Sequence, residues 1–576
     1  MIRRNEMISY KDKIAEILAP QIEGLDKEEI KAMIETPADS KMGDYAFPCF
    51  KLARVMRKAP PMIAKGIAEA ISENKAFDKV EQVNAYVNMF ISKEDFASEV
   101  VSEAIGKGDD FGRSDVGAGK KVIVEYSSPN IAKPFHIGHI RSTVIGNSIY
   151  KIYDFLGYDV IRINHLGDYG TQFGKMICAY RRWGNREDVE REPIKTLLSY
   201  YTKFHEEAEN DPSLEDEARA IFTKLEHGEA EEVELWQWFR DESLKEFNRV
   251  YDMLGITFDS YNGESFYSDK MPRFVKELAD KGIMEEDNGA NIVRLDDYNL
   301  PPALITKSDG STLYITRDIA AAVYRKETYD FYKNIYVVAS QQNLHFQQWI
   351  KIVELLGYEW AKDCVHIPFG LVSLEEGTMS TRQGRVVFLE DVLNRAVEQT
   401  RQIIVDKNVN TENIEQTAKD VGIGAVIFNE LSNYRIKDYV FSWDKVLNFE
   451  GETGPYVQYT HARACSILRN AGEETVAKAR EGFDAKYITG ESAHRLITLI
   501  YELPDVILEA GEKYEPSIVT RHIVDIAQDF NRFYHDEHIL VDNEDEKVAK
   551  VALVMAAGAA IRNGLALLGM NAPEKM

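Results

Sequence analysis

The most constraining feature of this chain is a strand–loop–helix–strand succession that begins at Lys121 and resumes far downstream. KVIVEYS (121–127) is a short β-rich run, and SSPNIAKPF (127–135) is broken by two prolines. Gly138 to Leu156 then carries a helical period that stops at Gly157, and DVIRINHL (159–166) is the next β-rich run. A strand joined through a helix to a neighbouring strand forms a right-handed parallel unit. The pattern returns as STLYIT (311–316) before a helical stretch Arg317–Lys326, and as NIYVVAS (334–340) before Leu344–Leu356. Those two units lie more than 140 residues after the first. A parallel sheet interrupted over that distance requires an insertion, which residues 170–300 supply. The acid-dense stretch 205–239 inside it has helical period and no fixed ligand spacing, so it reads as a solvated helix face.

The flanks differ in kind. Residues 1–118 read as a small α+β unit, opened by a helix over Tyr10–Ala19 and closed by a strand over Val83–Ile91, with 106–120 as a Gly- and Asp-rich linker. After about residue 390 the chain is nearly all helical, as in Ala418–Leu431, Val457–Arg469, Ser517–Tyr534 and Val548–Leu568. The expected fold class is therefore α/β and multidomain. A Rossmann-type parallel-sheet domain over 119–390 carries the insertion, a connector spans 391–440, and an all-α bundle spans 441–576. A length of 576 residues exceeds one ordinary core and agrees with several units.

Charge and cysteines narrow the partners. Acids outnumber bases, 95 to 69, for a net charge of −26, which excludes coating nucleic acid by bulk charge. A local basic groove remains compatible with RNA. Between Asp44 and Glu69 there is no acid, while Lys51, Arg54 and Lys58 have the spacing of one helix face. That window reads equally as a solvated face or as a phosphate-contacting patch. Cys49, Cys178, Cys364 and Cys465 have no CxxC or zinc-ribbon spacing, so reduced thiols, no zinc and a cytoplasmic location are expected. No signal-type apolar stretch and no run of ~20 apolar residues is seen, so no membrane association is expected.

The chemistry concentrates in PNIAKPFHIGH (129–139). His136-Ile137-Gly138-His139 follows a βα loop and opens a helix, the arrangement of a nucleotide triphosphate site. Gly138 lets a nucleotide approach the backbone, and the helix start offers N–H groups to phosphate. The two histidines add donors to charge that builds on an α-phosphate under attack. With no HExxH and no third ligand, a metal site is not expected. This motif alone also fits small-molecule nucleotidyltransferases.

Here the chain resembles the class I aminoacyl-tRNA synthetases, and among them the arginyl-tRNA synthetase family, over its whole length. The similar segments are EYSSPNIAKPF (125–135), Thr378-Met379-Ser380-Thr381-Arg382 with QGRVVFLEDVL (383–393), YITRD (314–318), ASQQNLHF (339–346), FEGETGPYVQYTHAR (449–463) and LGMNAPEKM (568–576). Thr378 departs from the lysine usual in that second signature loop. Arginyl enzymes lacking it typically carry a lysine just before the histidine motif, where Lys133 stands. A solvated loop lysine is the competing reading of Lys133.

The resemblance implies that His136, Gly138, His139, Lys133, Met379, Ser380, Thr381 and Arg382 carry catalysis. The same set without Thr381 would bind ATP. Glu125, Ser127, Asn130, His136, Tyr314, Asp318 and Gln342 would bind arginine. Gln341 competes with Gln342, and helix capping competes for Asp318. A guanidinium needs fixed carboxylates, and such polar selection makes editing by the insertion unnecessary. The implied reaction joins arginine to ATP as an adenylate and passes it to tRNA(Arg), with magnesium carried on the nucleotide. The C-terminal bundle would bind the anticodon, and Lys51, Arg54, Lys58, Tyr459 and Arg463 would contact tRNA. The family implies a monomer. A non-catalytic tRNA-binding paralogue is the alternative that Thr378 raises.

Overall fold

The computed structural model describes residues 9–37, 39–307, 314–374, 387–406, 413–443 and 451–576. The chain forms two compact units. One holds residues 1–116, 460–504 and 525–563; the other holds 117–459, 505–524 and 564–576. The helical C-terminal region, read from sequence as one block over 441–576, is thus divided between them.

In the first unit, α1 (Tyr10–Leu18) starts where Ser9 accepts a hydrogen bond from the Asp12 amide. The strands β1 (Tyr45–Pro48), β2 (Phe77–Val83) and β3 (Tyr86–Ile91) form an antiparallel sheet in the order β1-β3-β2. The strand expected over Val83–Ile91 is therefore a hairpin turn followed by β3, because Asn84 takes a left-handed φ of +55°. Ile14, Leu18, Phe47, Ile67, Val87 and Met89 share the core beneath the sheet. The expected linker is not a free one: Phe111 is buried, and the Asn563 amide donates to the carbonyls of Gly108 and Phe111 at 2.9 and 3.0 Å.

The second unit opens with β4 (Lys121–Glu125), a helix α2 (Ile140–Phe155) and β5 (Asp159–Ile163). An insertion follows, led by the helices Thr171–Trp183, Pro193–Asn210, Ser213–Glu226 and Ala230–Leu254. It ends in an antiparallel sheet of β6 (Met284–Asp287), β7 (Ala290–Val293) and β8 (Ala303–Thr306). Then come α3 (Tyr314–Tyr329), β9 (Lys333–Ala339), α4 (Asn343–Leu355) and β10 (Cys364–Phe369). The parallel sheet has the order β10-β9-β4-β5, with Val124 between Arg162 and Ile335. Chain order reverses between β4 and β9, and open α/β sheets bind ligands in the crevice at such a switch.

One expected strand is corrected. Tyr314–Thr316 of STLYIT form the first turn of α3, and residues 311–313 lie outside the described residues. Ile315, Ile319 and Val323 are buried on one face of that helix, a period that a short β-branched run conceals. Beyond β10, β11 (Val372–Leu374) pairs in parallel with β12 (Tyr439–Phe441), and the helices α5 (Leu389–Asp406) and α6 (Ile414–Ser432) lie between them in sequence. By length and composition alone the helix Glu544–Leu567 could cross a membrane, although Lys550 and Arg562 interrupt its apolar residues. Its apolar window is 94% buried within the protein, as in the core helix of a globular chain.

Candidate active site

The segment from the end of β4 to the start of α2 is held in an unusual backbone conformation. Ser127, Ser128 and Ala132 have φ of +69°, +48° and +58°, a region that costs a non-glycine residue energy. Hydrogen bonds over-determine this path. The Ser127 amide donates to Ser142 Oγ at 2.9 Å, and Ser142 donates onward to the Val337 carbonyl on β9 at 2.8 Å. The Ile131 amide reaches the Gly167 carbonyl at 3.1 Å, and the Gly167 amide reaches the Pro129 carbonyl at 3.0 Å. Position 167 admits only glycine without a shift, because a Cβ there would collide with Asn130 Oδ1.

The two histidines cap the helix they open. Gly138 N–H donates to His136 Nδ1, and His136 N–H donates to His139 Nδ1, both at 3.1 Å. Their ring centroids are 4.0 Å apart. Burial pushes His136 down to about 4. Burial, then the neighbouring His136, pushes His139 to about 3, with Lys133 adding to the effect. Both rings are therefore neutral at physiological pH. Because Nδ1 of His136 accepts, its ring proton lies on Nε2, which remains available as a donor.

The expected signature loop, Thr378 with Met379, Ser380, Thr381 and Arg382, falls outside the described residues. Its exit does not. The Ile137 amide donates to the Val387 carbonyl at 3.0 Å, and the Leu389 amide to the Phe135 carbonyl at 2.9 Å. The chain leaving the loop is thus bonded to the histidine motif itself. β11, which leads into the loop, pairs with β12, and Arg141 on α2 donates to the Lys437 carbonyl at 2.7 Å. Arg141 also pairs with Glu430 at 2.6 Å, both fully buried.

Apart from His136, the expected arginine ligands divide into four groups. Glu125 is buried and ion-paired with Arg325 of α3 at 2.6 Å, so its carboxylate already holds a guanidinium from the protein. Asp318 and His345 meet at 2.5 Å, from α3 and α4. Tyr314, one turn before Asp318, is 62% exposed, and Asn130, Gln341 and Gln342 are exposed as well. Ser127 differs from expectation. Its buried hydroxyl is bonded to Thr143 Oγ1 at 2.9 Å and Tyr251 Oη at 2.8 Å, so it braces the loop rather than facing a ligand.

Sequence reasoning missed Glu264. It follows Gly263 in the insertion, and its amide bonds to the Leu166 carbonyl just beyond β5 at 2.9 Å. Burial raises its carboxyl to about 7; Arg317, 3.3 Å away, and Lys133 oppose this, while Asp318 and Asp168 reinforce it. Lys133 is among the charges that bear on both His139 and Glu264, though the least of those named for each. No local pattern marked Glu264, because its neighbours come from three segments distant from it in sequence.

The expected RNA contacts lie elsewhere. Lys51, Arg54 and Lys58 are exposed, but they do not share one helix face, as their spacing suggested. The helix there spans only Leu52–Met56 and ends at Arg57, whose φ is +52°. Exposed Phe50, at 55%, and Met62, at 67%, stand within the same acid-free window. Tyr459 is exposed, whereas Arg463 donates to Asn531 and lies over the Tyr534 ring at 5.3 Å.

Comparison with known proteins gives the family. Residues 101–443 match the model for class I (R) tRNA synthetases, catalytic domain. Residues 457–576 match the DALR anticodon binding domain, and 9–91 the arginyl tRNA synthetase N terminal domain. An arginine–tRNA ligase of Halothermothrix orenii is 58% identical over 570 residues, covering 99% of this chain and 100% of the relative. One from Clostridioides difficile is likewise 58% identical, with the same coverage. The Thermus thermophilus arginyl-tRNA synthetase shares the fold at a TM-score of 0.78 and 24% identity, over 98% of this chain and 99% of that one. By its matching family models and its identity to relatives along nearly its full length, this chain belongs to the arginine–tRNA ligase family of class I tRNA synthetases.

Proposed function

We propose that this chain activates L-arginine with ATP and transfers it to the 3′-terminal adenosine of tRNA(Arg). In the first step a carboxylate oxygen of arginine attacks the α-phosphorus of ATP, and the bond to pyrophosphate breaks. In the second, a terminal ribose hydroxyl attacks the arginyl carbonyl, and AMP leaves with its bonding electron pair. Neither step needs a covalent enzyme intermediate, so catalysis is positioning plus electrostatic stabilisation.

The observation that carries this reading is the neutral histidine pair that caps α2 at the end of β4 and is bonded, through Phe135 and Ile137, to the chain leaving the second signature loop. Neutral histidines donate hydrogen bonds to the α-phosphate without a fixed charge that would also bind other anions. Lys133 supplies the cation that Thr378 does not. The bonds from Phe135 and Ile137 to residues 387–389 support a role for Met379, Ser380, Thr381 and Arg382 at the same phosphates. Asp318 and Tyr314 take the guanidinium, Asn130 and Gln342 the α-amino and carboxylate end, and Glu125 acts through Arg325. Magnesium would be held by ATP oxygens, where it offsets phosphate charge.

For the RNA, Lys51, Arg54 and Lys58 offer phosphate contacts and Phe50 a stacking face, with Tyr459 on the bundle side. We assign the chain to the cytoplasm as a monomer without zinc. The deciding experiment is arginine-dependent ATP–pyrophosphate exchange, with and without tRNA(Arg), on wild type and Lys133→Ala. Exchange lost in the variant supports the reading. Exchange unchanged in the variant removes Lys133 from it. No exchange under either condition, with tRNA still bound, favours the non-catalytic paralogue that Thr378 raises.

A further inference from the structure

We propose that His345 is a positioning residue of the arginine site, holding the Asp318 carboxylate in the orientation that receives the substrate guanidinium. This rests on the assignment of Asp318 as a guanidinium ligand made above. His345 stands three residues after Gln342 on α4, and Asp318 stands one turn after Tyr314 on α3. The first turns of the two helices therefore bring four polar side chains to one end of the parallel sheet. His345 Nε2 lies 2.5 Å from Asp318 Oδ2. An ionised carboxylate only accepts, so Nε2 carries the proton of this bond.

The contrast with Glu125 defines the role. The Glu125 and Arg325 side chains are 8% and 0% exposed, a sealed pair whose cation cannot be exchanged for one from solution. The Asp318 and His345 side chains are 32% and 25% exposed, so a ligand can reach this carboxylate. One N–H occupies one of about four lone-pair sites on the carboxylate, which leaves room for both prongs of a guanidinium. Without that bond Asp318 would rotate about its side-chain torsions, and binding would carry the entropy of fixing them. His345 thus orients the acceptor while leaving it open.

The test is arginine-dependent exchange in the presence of tRNA(Arg), with KM for arginine and for ATP measured on wild type and three variants. Asp318→Asn should raise the arginine KM about a hundredfold or more, as expected where a charged partner is left unpaired. His345→Ala should raise the arginine KM about tenfold while the ATP KM changes by less than about twofold. His345→Gln, whose amide N–H can replace Nε2, should recover to within about threefold of wild type. An unchanged arginine KM in His345→Ala, or Gln no better than Ala, overturns the proposal. So does an equal rise in both KM values with a lowered Tm, which is the mark of a purely structural role. An unaffected Asp318→Asn would overturn the guanidinium assignment itself, and inactive wild type the whole function.

Discussion

The segment Glu125–His139 and the surface around Leu52–Met56 both present donors suited to phosphate, yet they are built by opposite means. The first fixes neutral histidines by burial, helix capping and three strained residues. The second leaves Lys51, Arg54, Lys58 and Phe50 exposed around one short helix, with no hydrogen-bonded scaffold like that of the first among the described residues. A reacting phosphorus must be met by donors that are already in place, because reorganisation at the moment of reaction raises the barrier. An RNA backbone is met by several exposed charges whose individual placement matters less, since much of the affinity comes from released counterions.

The sharpest way to break this contrast is at the histidines. His139→Ala should slow exchange by about 10²–10³-fold with an intact fold, the cost of one preorganised donor. A loss below tenfold would mean that the rigid segment is scaffold only. Lys133→Ala should fall near the lower end of that range.

Burial of the histidines has a second consequence, on stability. Their folded values of about 4 and 3 lie below the ~6.5 of an exposed imidazole. Between those limits the unfolded chain binds protons that the folded chain does not. Stability is therefore full above about pH 6.5 and declines as pH falls through 4 toward 3, by up to several kcal/mol. His136→Gln should flatten the urea midpoint between pH 7 and 5, and parallel wild-type and variant curves would contradict the assignment.

On the exposed surface effects should be smaller and salt-dependent. The triple change Lys51→Ala, Arg54→Ala, Lys58→Ala should raise KM for tRNA about tenfold and lower the salt slope by roughly 0.7–0.9 for each phosphate no longer neutralised. A tRNA KM equal to wild type at all salt concentrations would return the window to a plain solvated face. Phe50→Ala should have the smallest effect, a several-fold rise in tRNA KM with stability changed by less than ~0.5 kcal/mol. A matching loss in stability would make Phe50 a packing residue for Tyr86, whose ring it meets edge-on at 5.4 Å.

The legible parts of the sequence were those where local chemistry and period agree. KVIVEYS and the helix after His139 have the lengths and boundaries of a βαβ unit, and the structure keeps them as β4 and α2. STLYIT misled because three β-branched residues in a short run satisfy a strand as well as the first turn of a helix. The Lys51–Lys58 spacing misled because Arg57 turns the chain. Glu264 and the partner of Asp318 were invisible for a different reason: Glu264 lies more than 120 residues from Lys133, and His345 is 27 residues from Asp318.

Local chemistry along the chain thus supplied the candidate residues: a histidine motif at a strand-to-helix turn, a lysine three residues ahead of it, and carboxylates near the ends of β-rich runs. Those features could be read early because local backbone geometry follows from a few neighbouring residues. Which carboxylate is open was settled by folding alone. Glu125 and Asp318 are both acids at the sheet's end, but one is closed by a buried arginine and the other is held by a reachable histidine. Burial and pairing depend on segments brought together by folding, so no spacing along the chain records them.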